Sequence, residues 1–279
     1  MIEFRKVCAG YDRQTVLKDV DLTIPSGQVT AILGPNGSGK STLLKAVVGL
    51  SELSGGEILL DGIPKSRYST TEAARKVAYL PQSRRIPDIS VRRLVLHGRF
   101  PHLGFPRKYR KEDDEIAMAA LETVGIADLA DAPMARLSGG TRQKAYIAMA
   151  LAQDTPAILL DEPTTYLDIS HQLQVMELCR KLAENGKAVG VVLHDLDLAM
   201  QYADRLALFQ HGWLCGCGTP EALFACGKLE QVFVGKRSEI AAQHRAENSA
   251  EHRCPEDRFR RQRAIPAQKC GNQGCGDII

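Results

Sequence analysis

The stretch "QVTAILGPNGSGKSTLLKAVVGL", residues 28–50, limits what this chain can fold into more than any other. An apolar strand-like run enters "GPNGSGKS", which fits G-x-x-x-x-G-K-[ST], and a helix-like run leaves it. In that context Gly34, Gly37 and Gly39 let the backbone bend closely around phosphates, so that several N–H groups converge on an anion. Lys40 is placed to reach β- and γ-phosphates, and Ser41 to offer a hydroxyl to Mg²⁺. Pro35, Asn36, Ser38 and Thr42 complete the phosphate-binding stretch. A strand feeding a helix in this way builds α/β layers around a parallel sheet.

The rest of the chain is consistent with that start. Before residue 33, "IEFRKV" and "VDLTI" read as strands broken by "AGYDRQ" and "PSG", which suggests a small antiparallel sheet at the N-terminus. "EILLDG" and "KVAYL" are further short strands. From about 88 to 136 the apolar spacing becomes helical in "SVRRLVLHGRF" and "KEDDEIAMAALETVGI", marking a helical insert. After 137, helix "GTRQKAYIAMALAQD", strand "AILLDE", helix "ISHQLQVMELCRKLAENG", strand "AVGVVLHD", helix "LDLAMQYAD" and strand "RLALFQ" alternate. Such alternation implies a parallel sheet covered on both faces. A turn is expected at "HGW". The fold class expected is therefore α/β, a P-loop NTPase core with a mostly parallel sheet, an N-terminal antiparallel β subdomain and an α-helical insert subdomain. Residues 1–234 form that domain, and 235–279 read as a polar, Arg-rich, flexible tail whose "RFRRQR" is most simply a solvated charge run.

Composition removes several alternatives. A net charge of +3 over 279 residues is too small to argue for nucleic acid. Apolar runs such as "VGVVL" fall far short of a membrane span, and "MIEFRKVCAGYD" lacks a signal pattern, so a cytosolic protein is expected. The eight cysteines are scattered without zinc-like spacing, Cys215-Gly-Cys217 included, and read as reduced structural residues.

Five further features carry chemistry. "AILLDEP" ends a buried strand in two acids, placing Asp161 to hold Mg²⁺ and Glu162 to take a proton from attacking water. His194 closes the strand "VVLHD", where it can contact a γ-phosphate, although a lone histidine is more often structural. Gln82 follows the strand "VAYL" and can bind Mg²⁺ or water. Tyr11 can stack on adenine or pack on the sheet, and the sequence leaves both open. A second glycine-containing loop, "LSGGTRQKA" at 137–145, also runs into a helix and offers N–H groups to an anion.

Taken in this order, Tyr11, "GPNGSGKST", Gln82, "LSGGTRQKA", "ILLDEP", "YLD" at 166–168 and His194 resemble the ATP-binding subunits of ABC transporters. The resemblance spans roughly residues 1–234. It implies ATP and Mg²⁺ as cofactors and a second copy of the chain as partner. Ser138, Gly139 and Gly140 of one copy would close on the γ-phosphate held by the other, with Asp168 along the dimer seam. It also implies catalytic roles for Glu162, His194 and Gln82, with Gln82, Ser41 and Asp161 at the metal. "LHGRFPHLG", "IAMALAQDTPAILLDEPTTYLDISHQ" and "VLHDLDLAMQYADR" are similar to importers of iron chelates, ferric siderophores foremost, then haem or vitamin B12. Such a subunit would sit peripherally on the cytoplasmic membrane face, held by integral permease subunits that the insert faces, and would meet a substrate-binding protein only indirectly. Thr141 and Tyr166 depart from the commonest pattern at their positions. A soluble, non-transport ABC ATPase is the competing class; the single set of motifs and near-neutral charge weigh against it.

Overall fold

The computed structural model describes residues 1–12, 14–82, 86–165 and 167–233. The expected tail and Tyr166 lie outside the described residues.

Two sheets enclose the phosphate-loop helix. The first is antiparallel, in the order β2 (Gln14–Ile24), β1 (Ile2–Tyr11), β4 (Glu52–Leu60) and β5 (Ile63–Pro64). The second runs β10 (Trp213–Gly218), β9 (Arg205–Gln210), β3 (Val29–Leu33), β8 (Ala188–Val192), β7 (Ala157–Asp161) and β6 (Val77–Leu80). From β9 to β6 every pair is parallel, and β10 adds an antiparallel edge. β3, β7 and β8 are buried along their whole length, as helices on both faces require. This is the α/β architecture the sequence implies.

The period-two alternation of a strand sorts side chains between two cores. In β3, Ile32 joins Ile2, Phe4, Val20, Ile58 and the helix α1 (Lys40–Val48) through Leu43 and Leu44. Val29, Ala31 and Leu33 face the other way, into a core shared with α3 (Val91–Leu96), α4 (Lys111–Thr123), α5 (Gly139–Ala152), α6 (Ile169–Glu184) and α7 (Leu196–Tyr202). The parallel sheet thus backs onto the β subdomain through α1 and onto the insert through α5.

Several elements differ from the sequence reading. "AGYDRQ" is a hairpin rather than a break: Gly10 pairs with Thr15, Tyr11 with Gln14, and Asp12 turns at φ 47°. α1 stops at Val48 because Gly49 takes a left-handed φ of 78°, which returns the Gly49 and Leu50 amides to the carbonyls of Ala46 and Lys45. In "SVRRLVLHGRF" only Val91–Leu96 is α-helical; His97–His102 tightens into a 3₁₀ segment containing Pro101. The turn at His211 and Gly212, both at positive φ, continues into β10, which the sequence reading did not foresee. Nor were α2 (Thr70–Ala74) and α8 (Pro220–Ala225) anticipated. Of the five cysteines described, Cys179 is buried and Cys215 exposed, with Cys215 against the Trp213 carbonyl and Cys217 against Arg205.

Two clusters fasten the insert to the core. Arg99 donates from Nε to Asp113 (3.1 Å) on α4 and from Nη1 to the Ala152 carbonyl (2.9 Å) at the end of α5. At the next residue, Gln153, the backbone oxygen lies 2.8 Å from His102 Nε2. Its side-chain amide donates to the carbonyls of Ala74 (2.5 Å) and Val77 (3.2 Å), at the root of β6.

Candidate functional site

The site forms where the parallel strands end. The β3–α1 loop lies over the end of β9: a methyl group on Gly34 would collide with the Phe209 carbonyl, and Gly34, Gly37 and Gly39 all adopt positive φ. Pro35 accepts a bond from the Ser38 amide (3.2 Å), and Ser38 returns its carbonyl to Gly212 (3.1 Å), which pins the loop to the β9–β10 turn. Asn36 and Gly37 are exposed at the tip, whereas Ser38, Lys40 and Thr42 are buried. Lys40 Nζ donates to the carbonyls of Gly34 (2.9 Å) and Pro35 (3.0 Å), so its ammonium is held inside the loop. The Ser38 hydroxyl, beside Gly34 within the same loop, is buried with no hydrogen-bond partner. Converging amides, a lysine and an unsatisfied hydroxyl fit a polyphosphate.

Beside this cradle lies a cation corner. Ser41 Oγ donates to Asp161 Oδ1 (2.9 Å), and Tyr79 OH donates to Asp161 Oδ2 (3.1 Å). Burial pushes the Asp161 carboxyl above its ordinary value, against the opposing pull of those two hydroxyls. A buried carboxylate touching a hydroxyl oxygen suits a hard divalent cation that takes its remaining ligands from phosphate and water.

The next residue begins a separate cluster. Glu162 sits at φ 51°, a strained conformation for a non-glycine that swings its side chain away from the strand line. Its Oε1 lies 2.6 Å from His194 Nε2, while Oε2 accepts from Gln82 Nε2 (2.5 Å) and Thr165 Oγ1 (3.2 Å). The fold thus brings Gln82, Glu162 and His194 together from the ends of β6, β7 and β8. Tyr11 stands apart from this cluster, about one-third exposed, with Lys45 of α1 5.9 Å from its ring centre.

The second glycine loop does not join the first in this chain. Ser138 caps α5, accepting from the Thr141 amide (3.2 Å) and pairing with the Thr141 hydroxyl (2.9 Å). Gly139 has open space where a side chain would be, and Gly140 lies against the His171 ring. Asp168 caps α6 by accepting from the His171 amide (2.9 Å). Sequence reasoning did not single out Tyr79, Thr165 or His171. Tyr79 stood in view, one residue before Leu80 at a strand end, but nothing local marks a hydroxyl as a carboxylate partner.

Residues 17–165 match the model of the family described as ABC transporter. The chain belongs to the ABC transporter family. Within the family it is an ATP-binding domain with ATPase chemistry. It is 43% identical over 226 residues to the ferric enterobactin transport ATP-binding protein FepC of Escherichia coli (strain K12), covering 80% of this chain and 83% of that protein. It is also 43% identical over 220 residues to the hemin import ATP-binding protein HmuV of Streptomyces coelicolor (strain ATCC BAA-471 / A3(2) / M145), 78% of each chain. Among solved structures it is similar to the dimeric post-hydrolysis state of the ATP-binding cassette MJ0796 bound to ADP and Pi. The TM-score there is 0.69 at 28% identity, over 79% of this chain and 99% of that one. No described helix of this ABC domain is long and apolar enough to cross a membrane.

Proposed function

We propose that this chain is the ATP-hydrolysing subunit of an importer for an iron chelate, a ferric siderophore in the first instance. It works as two copies on the cytoplasmic membrane face, against integral permease subunits that receive cargo from a substrate-binding protein. In this reading residues 1–234 are the nucleotide-binding domain, 88–136 the insert facing the permease, and no nucleic acid is involved. The chelate assignment rests on likeness to both siderophore and hemin import proteins, and haem or vitamin B12 is the alternative cargo.

The observation that carries the ATPase reading is the placing of Glu162 between Gln82 and His194, directly after the Ser41–Asp161 pair. Gly34 to Thr42 bind the phosphates, and Tyr11 meets the adenine. Ser41, Asp161 and Gln82 would hold Mg²⁺, which when bound offsets charge on the phosphate oxygens. Glu162 takes the proton of the attacking water, and His194 orients Glu162 and contacts the γ-phosphate. Gln82 and Thr165 both bond Oε2, whereas Oε1 meets only His194, which leaves that oxygen a second acceptor position for the water. Ser138 to Gly140 leave their helix terminus open to a second copy, and Asp168 lies along that seam.

Glu162→Gln tests the assignment. Its steady-state ATP hydrolysis should fall by roughly 10²–10⁴-fold, the value of a positioned general base, while ATP affinity holds. Undiminished turnover removes Glu162 from the role. Cargo is tested separately, by transport of ferric siderophore, haem and cobalamin in parallel through the reconstituted complex. If none moves, the cargo reading fails and the ATPase reading stands.

A further inference from the structure

His171, on the first turn of α6, touches both segments assigned above to the dimer seam. Its Nδ1 lies 2.8 Å from Asp168 Oδ1 and 2.9 Å from Oδ2, and its amide donates to Oδ1 as well. A carboxylate only accepts, so Nδ1 carries the proton and Nε2 points the other way. In that direction lies Gly140: a methyl placed on it would sit 2.7 Å from His171 Cδ2, 2.8 Å from Nε2 and 2.9 Å from Cγ. The ring is therefore flush against the first turn of α5 while its other edge grips Asp168.

Around this contact the intervening turn is clipped to both helices. Gln143 of α5 donates to the Pro163 carbonyl (2.7 Å), and Gln172 of α6 donates to that of Thr164 (3.3 Å). Thr165 then bonds Glu162. Direct contacts thus run from Gly140 through His171 to Asp168, while Thr165, at the start of the same turn, separately reaches Glu162.

We propose that His171 is a positioning residue that ties Asp168 to Gly140, so that the two segments meeting a second copy move as one unit. The proposal rests on the two-copy reading above. Alone, a glycine at 140 would leave the first turn of α5 free of the first turn of α6; the imidazole fills that gap and is itself oriented by the carboxylate. Engagement of Ser138–Gly140 by the other copy then sets Asp168 at the same time, and both nucleotide sites receive the same alignment.

The experiment is ATP hydrolysis by the full-length chain assembled with its permease, read as kcat, KM and Hill coefficient. Fluorescent-ATP affinity and thermal unfolding are measured alongside. His171→Ala should lower kcat at least roughly tenfold, as expected when reacting groups lose alignment, and bring the Hill coefficient toward one. Its nucleotide affinity should stay within about twofold, because the phosphate loop is untouched. His171→Asn carries an amide N–H close to where Nδ1 stood but covers only part of the space over Gly140, so it should recover part of both quantities; His171→Phe fills that space without a donor and should recover neither. A cooperative wild type with an unchanged His171→Ala variant overturns the tie and leaves the two-copy reading intact. So does a His171→Phe variant matching wild type, since packing would then suffice. A wild type with neither cooperativity nor ATP-driven dimerisation overturns both.

Discussion

Removing Asp113 should destabilise the insert at the point where Arg99 joins it to α5. The Asp113 and Arg99 side chains are only 10% and 9% exposed, and Arg99 spans from α4 to the Ala152 carbonyl. Asp113→Ala leaves the Arg99 guanidinium buried with that carbonyl as its remaining described partner. The cost should be about 3 kcal/mol, the low end of what losing one member of a buried pair costs, since the carbonyl is retained. For a domain of this size that lowers Tm by roughly 6–12 °C. The pH dependence has a definite sign. Burial pushes the Asp113 carboxyl up, but the Arg110 amide and the Arg99 guanidinium outweigh it and hold the group below its ordinary range. Its stabilisation is therefore complete above the unfolded value, about 3.9, and is lost as pH falls through the lower folded value. Differential scanning calorimetry of wild type and variant between pH 3 and 7 should show a constant gap down to about pH 5 that narrows below 4. A gap under about 0.5 kcal/mol at pH 7, the size of an ordinary surface effect, would refute the buried-pair reasoning. A gap that widens in acid would refute the sign.

Gly34→Ala forces a methyl toward the Phe209 carbonyl from a φ of 151°, so ATP should bind roughly tenfold more weakly or worse as the loop shifts; unchanged affinity by fluorescent-nucleotide titration would mean the loop absorbs the methyl. Cys179 is fully buried, which pushes its thiol up to about 12, whereas Cys215 is exposed. Peptide mapping after alkylation at pH 8 should find Cys215 labelled and Cys179 unlabelled until the protein is denatured.

What could be read from the residues was what the backbone imposes locally. The buried runs "VTAIL", "AILLD" and "AVGVV" are too short and too β-branched or aliphatic to be helices here, and each is a strand of the parallel sheet. The glycine loop between β3 and α1 was legible for the same reason: its spacing has a mechanical purpose. β10 was hidden because "WLCGCG" contains two glycines and owes its pairing to the His211–Gly212 turn and to β9. The three-residue cluster of Gln82, Glu162 and His194 was foreseen as separate roles, yet its direct contacts depend on the strand order, which places β6, β7 and β8 side by side. His171 was invisible, because its meaning comes from two helix starts that meet only in space.

Gln153 is a joint in the mechanical sense. Three separate runs of chain are bolted to this residue: α5 by its own backbone, the insert through His102, and the foot of β6 through Ala74 and Val77. One run is a rod of about 21 Å that ends at Ser138; another is the strand that leads to Gln82. A load applied to the insert at His102 is split at this joint and delivered along both arms. Their synchrony is then fixed by the stiffness of the frame, and no messenger has to travel between them.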